Sequence, residues 1–488
     1  MKKPNPKSKK CLFVVNTGVS IITIYLNKAI FFLFIFMVNA GVSQSLDEYL
    51  ITAAENNSNL KSKYLQFQAA MERIPQVGTL PDPQLGFSLF IMPMERYMGD
   101  QRGSISVMQM LPWFGTLEAA KNEMNYMAKA KYEEFNEAKS MLFYEVRANW
   151  YALQLLEKEI SITKENIELL KTMEQVAIAK YISGGGSVGS MDMKSGSSPV
   201  NGNSGSGMSG MGGMEASSGN PSTSRLSNSI GNPSKNISSS GSMIDVLRVQ
   251  IEINELANNL ALLEDSKIPV IAQFNQLLNR RRDESIFLSD TILAATLPIS
   301  LLEIPDSIKI NNPILKMLEQ EEAAYIAQGR MKEKMGLPMI SVGLQYDIFR
   351  QRANSESRMN GHNMLMPMAT VTIPIWRKKY TASVKESEFM RRSVVEQKHD
   401  IGNQLMVNYE EALKDFKDAE RRAKLYQNQT SLANQVLNIL IVQYTTEGSD
   451  FEELLRMQQQ LLDYRLKYLD ALIDGNISVA MMERLMGR

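Results

Sequence analysis

The chain has 488 residues, with 53 basic and 53 acidic side chains and a formal net charge of zero. This balance lacks the basic excess that is typical of nucleic-acid binding, so we expect no nucleic-acid partner. Two histidines in the whole chain argue against a histidine-based active site. No nucleotide-binding loop or nucleophile elbow is visible either. We therefore expect no enzyme activity and no resident cofactor.

Residues 1–43 are predicted to be an export signal. Five lysines between residues 2 and 10 precede an apolar run at residues 29–38, which is too short to span a bilayer but suits a signal core. Cleavage is predicted after Ser43. A short membrane anchor is the alternative, because residues 12–26 form a second apolar stretch. The one cysteine, Cys11, lies within this segment, so removing it would leave a chain without thiols, as suits an oxidising compartment.

Two stretches, residues 116–183 and 376–447, are predicted to be very long helices. Neither contains proline, and Gly402 is the only glycine in either of them. At 1.5 Å per residue, a helix of this length would reach roughly 100 Å. Apolar side chains in the first stretch recur at coiled-coil steps of three, four or seven: Leu142, Val146, Trp150, Leu153, Leu156, Ile160, Ile167 and Leu170. Helices of this length indicate a protein that bridges a long distance.

Four strands are predicted from alternating apolar and polar residues. They lie at about residues 84–92, 103–111, 339–349 and 363–375, and each pair forms a hairpin with a charged loop. Strands of about 9–11 residues have the length needed to cross a bilayer at a tilt. The alternative is two soluble hairpins that pack on helices.

The motifs of the first half recur in the same order in the second half. The chain is therefore predicted to contain two structural repeats, residues 44–280 and 311–488, joined by a linker at residues 281–310. Because four strands cannot close a membrane barrel, the pattern also predicts cyclic assembly, and three copies would supply twelve strands. The recurring motifs are Leu80-Pro81 with Gly86 and Leu337-Pro338 with Gly343, Leu111-Pro112-Trp113 and Ile373-Pro374-Ile375-Trp376, and Tyr181 with Gly184 and Tyr444 with Gly448.

Residues 80–86 (LPDPQLG) and 106–115 (SVMQMLPWFG) resemble the TolC-type outer-membrane efflux channels. Within that family they resemble the heavy-metal branch, which works with tripartite cation pumps. The pattern of Tyr181, Gly184 and residues 245–247 (DVL) fits the same family, as does QLLNR at residues 276–280. The resemblance covers residues 45–488 apart from one insertion.

The resemblance implies a mostly α fold with β strands, built as a homotrimer in the outer membrane of a Gram-negative bacterium. A twelve-stranded barrel would be continued by a periplasmic α-barrel of coiled-coil helices. The implied partners are outer-membrane lipid, a periplasmic adaptor (membrane fusion) protein and an inner-membrane proton-driven cation pump. Many relatives carry a lipidated cysteine just after the signal, and this chain has none there.

The implied function is that of a passive export duct for heavy-metal cations, Cu(I) or Ag(I). One alternative keeps the duct but changes the cargo to drugs or other organic solutes. Another is a soluble periplasmic coiled-coil adaptor or scaffold with no pore. Metal tolerance and channel conductance are the measurements that separate these hypotheses.

The resemblance places the periplasmic tip, where an adaptor docks, at the turns after Tyr181 and Tyr444. Acidic residues crowd these turns, and acids at a constriction raise the local cation concentration. Capping of helix N-termini is the alternative role for such acids. The predicted tip, gate and docking residues are Tyr181, Gly184, Asp245, Tyr444, Gly448, Asp450, Glu452 and Glu453.

An insertion at residues 184–242 lengthens one of the two tip turns. It is rich in serine and glycine and lacks aromatic residues, so it is predicted to be a flexible loop. Its methionines have no core to build, and thioethers are soft ligands that favour Cu(I) and, by the same softness, Ag(I). Compositional drift is the alternative, since the chain has 32 methionines. The predicted metal ligands are Met191, Met193, Met208, Met211 and Met214.

A second group of methionines lies in the second hairpin. Met364, Met366 and Met368 follow His362 and share one face of the predicted strand. That face would line a lumen or contact lipid. Lipid contact or core packing is the more frequent role of methionine, because its flexible side chain fills irregular gaps.

Overall fold

The computed structural model describes residues 45–184, 243–288, 292–294, 296–297, 300–353, 356–446 and 451–488. The helices in these residues are α1 (Leu46–Asn56), α2 (Ser58–Met71), α3 (Arg73–Gly78), α4 (Thr116–Gly184), α5 (Met243–Leu277), α6 (Ile304–Asn311), α7 (Pro313–Met335), α8 (Arg377–Thr446) and α9 (Phe451–Leu485). The strands are β1 (Gln84–Arg96), β2 (Gly99–Leu111), β3 (Met339–Arg350) and β4 (Met364–Thr372). The signal at residues 1–43 and nearly all of the insertion, residues 185–242, lie outside the described residues.

The chain is mostly helical and carries one four-stranded antiparallel sheet, as predicted. The two long stretches form α4, with 69 residues, and α8, with 70. The near absence of glycine and proline explains their length, because these residues cost about 1 and 3 kcal/mol in a helix interior. Among the described residues, no helix is both apolar enough and long enough to cross a membrane.

The strand order is β1-β2-β3-β4, and all neighbouring strands are antiparallel. The two hairpins therefore join along β2 and β3, where Leu111 pairs with Ile340 and Ser104 pairs with Asp347. One sheet thus contains strands from both halves of the chain. Strands β1 and β4 lie at its two edges.

The strand bounds differ from the predicted ones. The first hairpin was predicted to have a charged loop between residues 92 and 103, but β1 continues to Arg96 and β2 begins at Gly99. A two-residue turn is possible because Gly99 has a φ of +119°, and a Cβ there would lie 2.4 Å from the carbonyl oxygen of Arg350. In the second hairpin, β4 ends at Thr372 instead of residue 375.

The chain divides into two compact units. The first consists of residues 1–159, 263–426 and 466–488 and contains the sheet. Its core has one apolar cluster around Tyr49, Trp150 and Phe274, whose ring centroids lie 5.2–6.1 Å apart. A second cluster is built around Ile304, Tyr409, Met482 and further aliphatic side chains.

The two clusters use corresponding positions of the two halves. Three pairs are related by a shift of 255 residues, namely Tyr49 and Ile304, Ala53 and Ile308, and Leu60 and Leu315. Two more pairs are related by a shift of 208, namely Phe274 and Met482, and Leu278 and Met486. The same helical faces thus pack in both clusters, and in two of these pairs an aromatic residue of the first cluster, Tyr49 or Phe274, corresponds to Ile304 or Met482 in the second.

Two asparagines at the starts of α2 and α7 make matching hydrogen bonds. The side-chain oxygen of Asn57 accepts from the backbone N–H of Leu60, and its amide donates to the carbonyl oxygen of Leu277 at 2.9 Å. Asn312 accepts from the N–H groups of Ile314 and Leu315 and donates to the carbonyl oxygen of Leu485 at 2.9 Å. Each asparagine caps one helix and satisfies the end of another.

The second unit consists of residues 160–262 and 427–465, which are portions of α4, α5, α8 and α9 with the segment between α4 and α5. A buried polar pair lies inside it, where Gln458 Nε2 donates to Asn166 Oδ1 at 2.5 Å. At more exposed positions Gln250 donates to Glu174 and Gln459 donates to Glu252. Polar side chains therefore connect α4 with both returning helices in this unit.

Candidate functional site

The sheet presents an apolar face that is more exposed than its polar face. In β3 the exposed side chains up to residue 348 are Ile340, Val342, Leu344, Tyr346 and Ile348, alternating with residues that are buried or half-buried, and the charged Arg350 ends the exposed row. The pairing register extends this face across the sheet, because the positions opposite are also mostly apolar: Leu85, Phe87 and Leu89 in β1, Ile105, Val107 and Leu111 in β2, and Leu365, Pro367, Ala369 and Val371 in β4. A sheet in water shows the opposite arrangement.

The opposite face carries small and polar residues. Its members are Gly86, Ser88, Ser104, Ser106, Ser341, Gly343, Gln345, Asp347, Thr370 and Thr372. Asp347 is 0% exposed, whereas Leu89 and Ile91 of β1 are 87% and 99% exposed. Burial of polar groups and exposure of large apolar ones mark the exposed face as an interaction surface.

Every methionine at a paired position of the described strands lies on the polar face. These methionines are Met94, Met108, Met110, Met339, Met364, Met366 and Met368. Lipid contact or core packing was the more frequent role expected of Met364, Met366 and Met368. The register argues against the lipid contact, because these half-buried residues share the less exposed face with Gly343, Gln345 and Asp347.

Aromatic side chains lie at both ends of the sheet. Phe114 and Trp376 follow the helix-proximal ends of the hairpins and are 85% and 82% exposed. Tyr97 lies in the turn at the far end of the first hairpin and is also exposed. Exposed aromatic residues at both ends of an apolar band are typical of proteins that cross a bilayer with strands.

The hairpin ends are tied to each other by polar contacts. Arg352, which follows β3, donates from Nε and Nη2 to Oδ1 of Asp100 at 3.1 and 2.9 Å. Glu95 lies 3.8 Å from the same guanidinium, and Asn360 exchanges hydrogen bonds with the backbone of Arg352. The charged residues that predicted a loop therefore pair across the two hairpins.

The predicted tip residues come partly together in the second unit. Tyr444, near the end of α8, packs on Phe451 of α9 with ring centroids 5.0 Å apart. Lys180 of α4 lies over the Tyr444 ring, and burial together with the negative charge of Asp245 raises the pKa of the Tyr444 phenol. Tyr181 is half-exposed, and Gly184 is the last residue of α4.

The acids at the helix starts are held by cations. Glu452 forms an ion pair with Arg248 at 2.8 Å, which joins α9 to α5, whereas Glu453 lies 4.0 Å from Arg456 on its own helix. Gly448 and Asp450 lie outside the described residues, as do Met191, Met193, Met208, Met211 and Met214. Among the described residues, no group of three or more histidines, cysteines or acids could hold a metal ion.

Several residues that hold these regions together were not predicted from the sequence. Asn57 and Asn312 are helix caps, and the Asn-Pro step at residues 312–313 is the signal that could have revealed one of them. Lys180 has no local signal, because its contact with Tyr444 joins residues 264 positions apart. Met108 lies in the motif at residues 106–115, but only the pairing register shows which face of the sheet it occupies.

Comparison with solved structures gives the same fold in several channels. The outer-membrane channel OprN matches with a TM-score of 0.67 and 14% identity, covering 91% of this chain and 89% of that chain. CusC, whose crystal structures concern the conformational changes that accompany folding and transmembrane channel formation, matches with a TM-score of 0.67 and 13% identity. The match covers 90% of this chain and 91% of that chain. The open state of the Neisseria gonorrhoeae outer-membrane channel MtrE has a TM-score of 0.64 and 12% identity, with 91% and 88% covered.

No protein-family model matches the sequence, and no curated protein matches it. The structural likeness is similar for all three channels, so it shows the fold and no particular branch within it. The chain has the fold of these outer-membrane channels. The fold implied by the resemblance to TolC-type channels is thus confirmed at the level of mostly helical architecture with one four-stranded sheet.

Proposed function

We propose that this protein is the outer-membrane channel of a tripartite efflux system and serves as a passive export duct. The observation that carries the proposal is the sheet whose exposed face is apolar and whose polar face is less exposed. Lipid on one side and a water-filled lumen on the other would satisfy both faces. The shared fold with OprN, CusC and MtrE supports the same assignment.

The working unit of this proposal is a homotrimer. Strands β1 and β4 both present an edge, and open strand edges do not occur in the hydrocarbon region of a membrane. Pairing β4 of one copy with β1 of the next would close the sheet, and three copies of four strands give twelve. Exposed Phe114, Trp376 and Tyr97 would then lie near the two membrane interfaces.

The long helices would continue the barrel as a periplasmic α-barrel. The ends of α4 and α8 and the starts of α5 and α9 would form its tip, where a periplasmic adaptor docks and an inner-membrane proton-driven cation pump delivers its cargo. Tyr181, Gly184, Asp245, Tyr444, Gly448, Asp450, Glu452 and Glu453 are the residues proposed for this tip. The two repeats, residues 44–280 and 311–488, would give each protomer two quasi-equivalent helical hairpins, which the matching core positions support.

The proposed cargo is a soft monovalent cation, Cu(I) or Ag(I). Methionine is a soft ligand that suits these ions, and the sequence places five methionines in the insertion at one tip turn. Efflux of drugs or other organic solutes is the competing cargo, and the shared fold does not distinguish between them. Energy would come from the pump, since a duct of this kind moves its cargo passively.

Three measurements test the duct. The full chain should fractionate with the outer membrane, and purified protein should migrate as a trimer in detergent and give single-channel conductance in a planar bilayer. Extraction by buffer alone, a monomer in detergent or a silent bilayer would overturn the proposal in favour of a soluble scaffold.

A deletion strain tests the cargo. Loss of the protein should lower tolerance of copper and silver while leaving tolerance of dyes and detergents unchanged, and the reverse result would favour organic solutes. Replacing Met191, Met193, Met208, Met211 and Met214 with leucine should lower copper tolerance and leave the trimer intact. Unchanged copper tolerance would show that the insertion methionines do not contribute to metal export.

A further inference from the structure

The segregation of methionine within the sheet calls for an explanation beyond packing. An apolar filler would be expected on the apolar face, yet Leu, Ile, Val, Phe and Tyr occupy that face and methionine does not occur at its paired positions in the described strands. On the polar face the methionines stand among serine, glycine, glutamine and aspartate. A side chain that is apolar but carries a soft sulfur atom is useful there as a ligand.

Met108 and Met368 flank a glycine in one row of the sheet. The register places Met108 of β2 opposite Gly343 of β3, and Gly343 opposite Met368 of β4. Neighbouring strands lie about 4.8 Å apart, so the two methionine backbones are separated by roughly 10 Å. Each side chain is flexible and unbranched, so both sulfur atoms can reach the space above the glycine.

The glycine between them is required by its surroundings. A Cβ at position 343 would lie 2.6 Å from the carbonyl oxygen of Val107 and 3.4 Å from Cβ of Met108. Any larger residue would displace β2 and fill the space between the two methionines. Gly343 therefore leaves the space above it unfilled, and one methionine lies on each side of that space.

The methionine column continues along β4 beside a buried acid. Met366 pairs with Gln345 and Met364 pairs with Asp347, so thioethers recur at steps of about 7 Å along this strand. Asp347 is 0% exposed, and its Oδ1 accepts from Gln345 Nε2 at 2.7 Å. Its Oδ2 has no hydrogen-bond partner among the described residues. An unpartnered buried carboxylate oxygen favours the approach of a cation.

We propose that the polar face of the sheet binds soft monovalent cations, Cu(I) or Ag(I), through Met108, Met364, Met366 and Met368, with Asp347 supplying negative charge. The proposal rests on the proposed function, because it requires this face to line the lumen. Thioethers bind without losing a proton, and spaced sites let an ion pass from one to the next. The sheet would thereby favour soft ions during passage.

Silver binding to the purified trimer tests the proposal. All proteins carry leucine in place of the five insertion methionines, so that the experiment measures silver binding by the remaining methionines alone. In this background Met108, Met364, Met366 and Met368 are changed to leucine, which keeps the apolar volume. The matched control changes four half-exposed methionines outside the sheet, Met71, Met243, Met335 and Met390, to leucine.

Titration with Ag(I) in chloride-free buffer should show binding to the background protein and the control. The sheet variant should bind at least about tenfold more weakly, or lose the sites altogether. Equal binding by the sheet variant and the control would overturn the proposal. If the fourfold variant does not assemble, Met366→Leu and Met368→Leu are measured singly, and unchanged silver affinity in both would have the same meaning.

Conductance separates this proposal from the proposed function. Silver ions should reduce the potassium current through the background channel in a nitrate buffer and leave the current of the sheet variant unchanged. A conducting channel whose current ignores silver would refute the methionine site and leave the duct intact. A protein that forms no trimer and no channel would refute the duct itself.

Discussion

Lys180 and Tyr444 join the ends of the two long helices. The Lys180 ammonium lies 3.8 Å from the centre of the Tyr444 ring and donates to the carbonyl oxygen of the same residue at 2.7 Å. Tyr444 is buried and also packs on Phe451, so a single side chain of α4 holds both the backbone and the ring of α8. This contact lies beside the predicted tip turns.

Replacing Lys180 with methionine should loosen the ends of α4 and α8. The change removes a cation–π contact and a hydrogen bond, together about 1–3 kcal/mol, while it keeps side-chain length. We expect larger single-channel conductance or longer open times in a planar bilayer. Lys171→Met is the matched control, because the described partner of Lys171 is Glu168 on its own helix, at an exposed position. Equal conductance in both variants would show that the contact does not restrain the tip.

A lysine on the apolar face of the sheet should prevent membrane assembly. Leu344 is exposed on that face, and a lysine near the bilayer midplane costs about 2–4 kcal/mol. We expect Leu344→Lys to abolish the trimer in the outer-membrane fraction. Gln345→Lys places the same charge one residue further, on the polar face beside Asp347, and should leave trimer yield unchanged. A normal yield for Leu344→Lys would contradict the assignment of that face to lipid.

Asn312→Asp should destabilise the protein more than Asn57→Asp. Aspartate still caps the helix, but it cannot donate to the carbonyl oxygen of Leu485, and a carboxylate facing that oxygen costs about 1–3 kcal/mol. Asn312 is buried, whereas Asn57 is half-buried and more easily hydrated. Thermal unfolding of the purified protein should give the lowest midpoint for Asn312→Asp, a higher one for Asn57→Asp and the highest for the wild type. Asn311→Asp, a change at the exposed neighbouring position, serves as the control. If its midpoint is as low as that of Asn312→Asp, the result would argue against a specific capping role for Asn312.

Glu159 and Asp470 should make stability fall as pH rises. Burial raises the pKa of the Glu159 carboxyl, and the negative charge of Asp470 raises it further. Burial and the charge of Asp474 raise the pKa of Asp470, although the positive charge of Arg422 lowers it. The folded protein therefore holds protons that the unfolded chain releases, and its stability declines from the ordinary carboxyl range upward through the raised pKa values. Glu159→Gln should raise the thermal midpoint at neutral pH and flatten its pH dependence.

The control for this pH effect is Glu165→Gln, a change at an exposed position of the same helix. It should leave the pH dependence of the midpoint as in the wild type. If the midpoint of Glu159→Gln changes with pH as the wild-type midpoint does, burial does not keep the Glu159 carboxyl protonated.

The long helices were predictable because helix length follows from local composition. Residues 116–183 lack the residues that end helices, and α4 covers them. The first hairpin was less predictable, because Glu95, Arg96 and Asp100 look like loop residues in sequence. In the structure Asp100 pairs with Arg352 from the other hairpin, and this distant partner stabilises strand where local composition favours a turn.

The role of the sheet methionines could not be predicted without the register. Alternation shows that Met364, Met366 and Met368 share a face, but it cannot tell which of the two faces is exposed. Pairing with Gly343, Gln345 and Asp347 decides that question. The caps Asn57 and Asn312 were missed for a related reason, since the bond that each amide donates goes to a residue 220 or 173 positions away.

The central pairing of β2 with β3 sets an order of events for folding. Leu111 and Ile340 are direct partners but lie 229 positions apart, so the first hairpin emerges from the ribosome long before its neighbour exists. Closing so large a loop is slow, and until then the first hairpin has an apolar surface with nothing to cover it. A holding chaperone should therefore be needed for the nascent chain, and truncation before residue 339 should yield aggregates instead of a half-sized product.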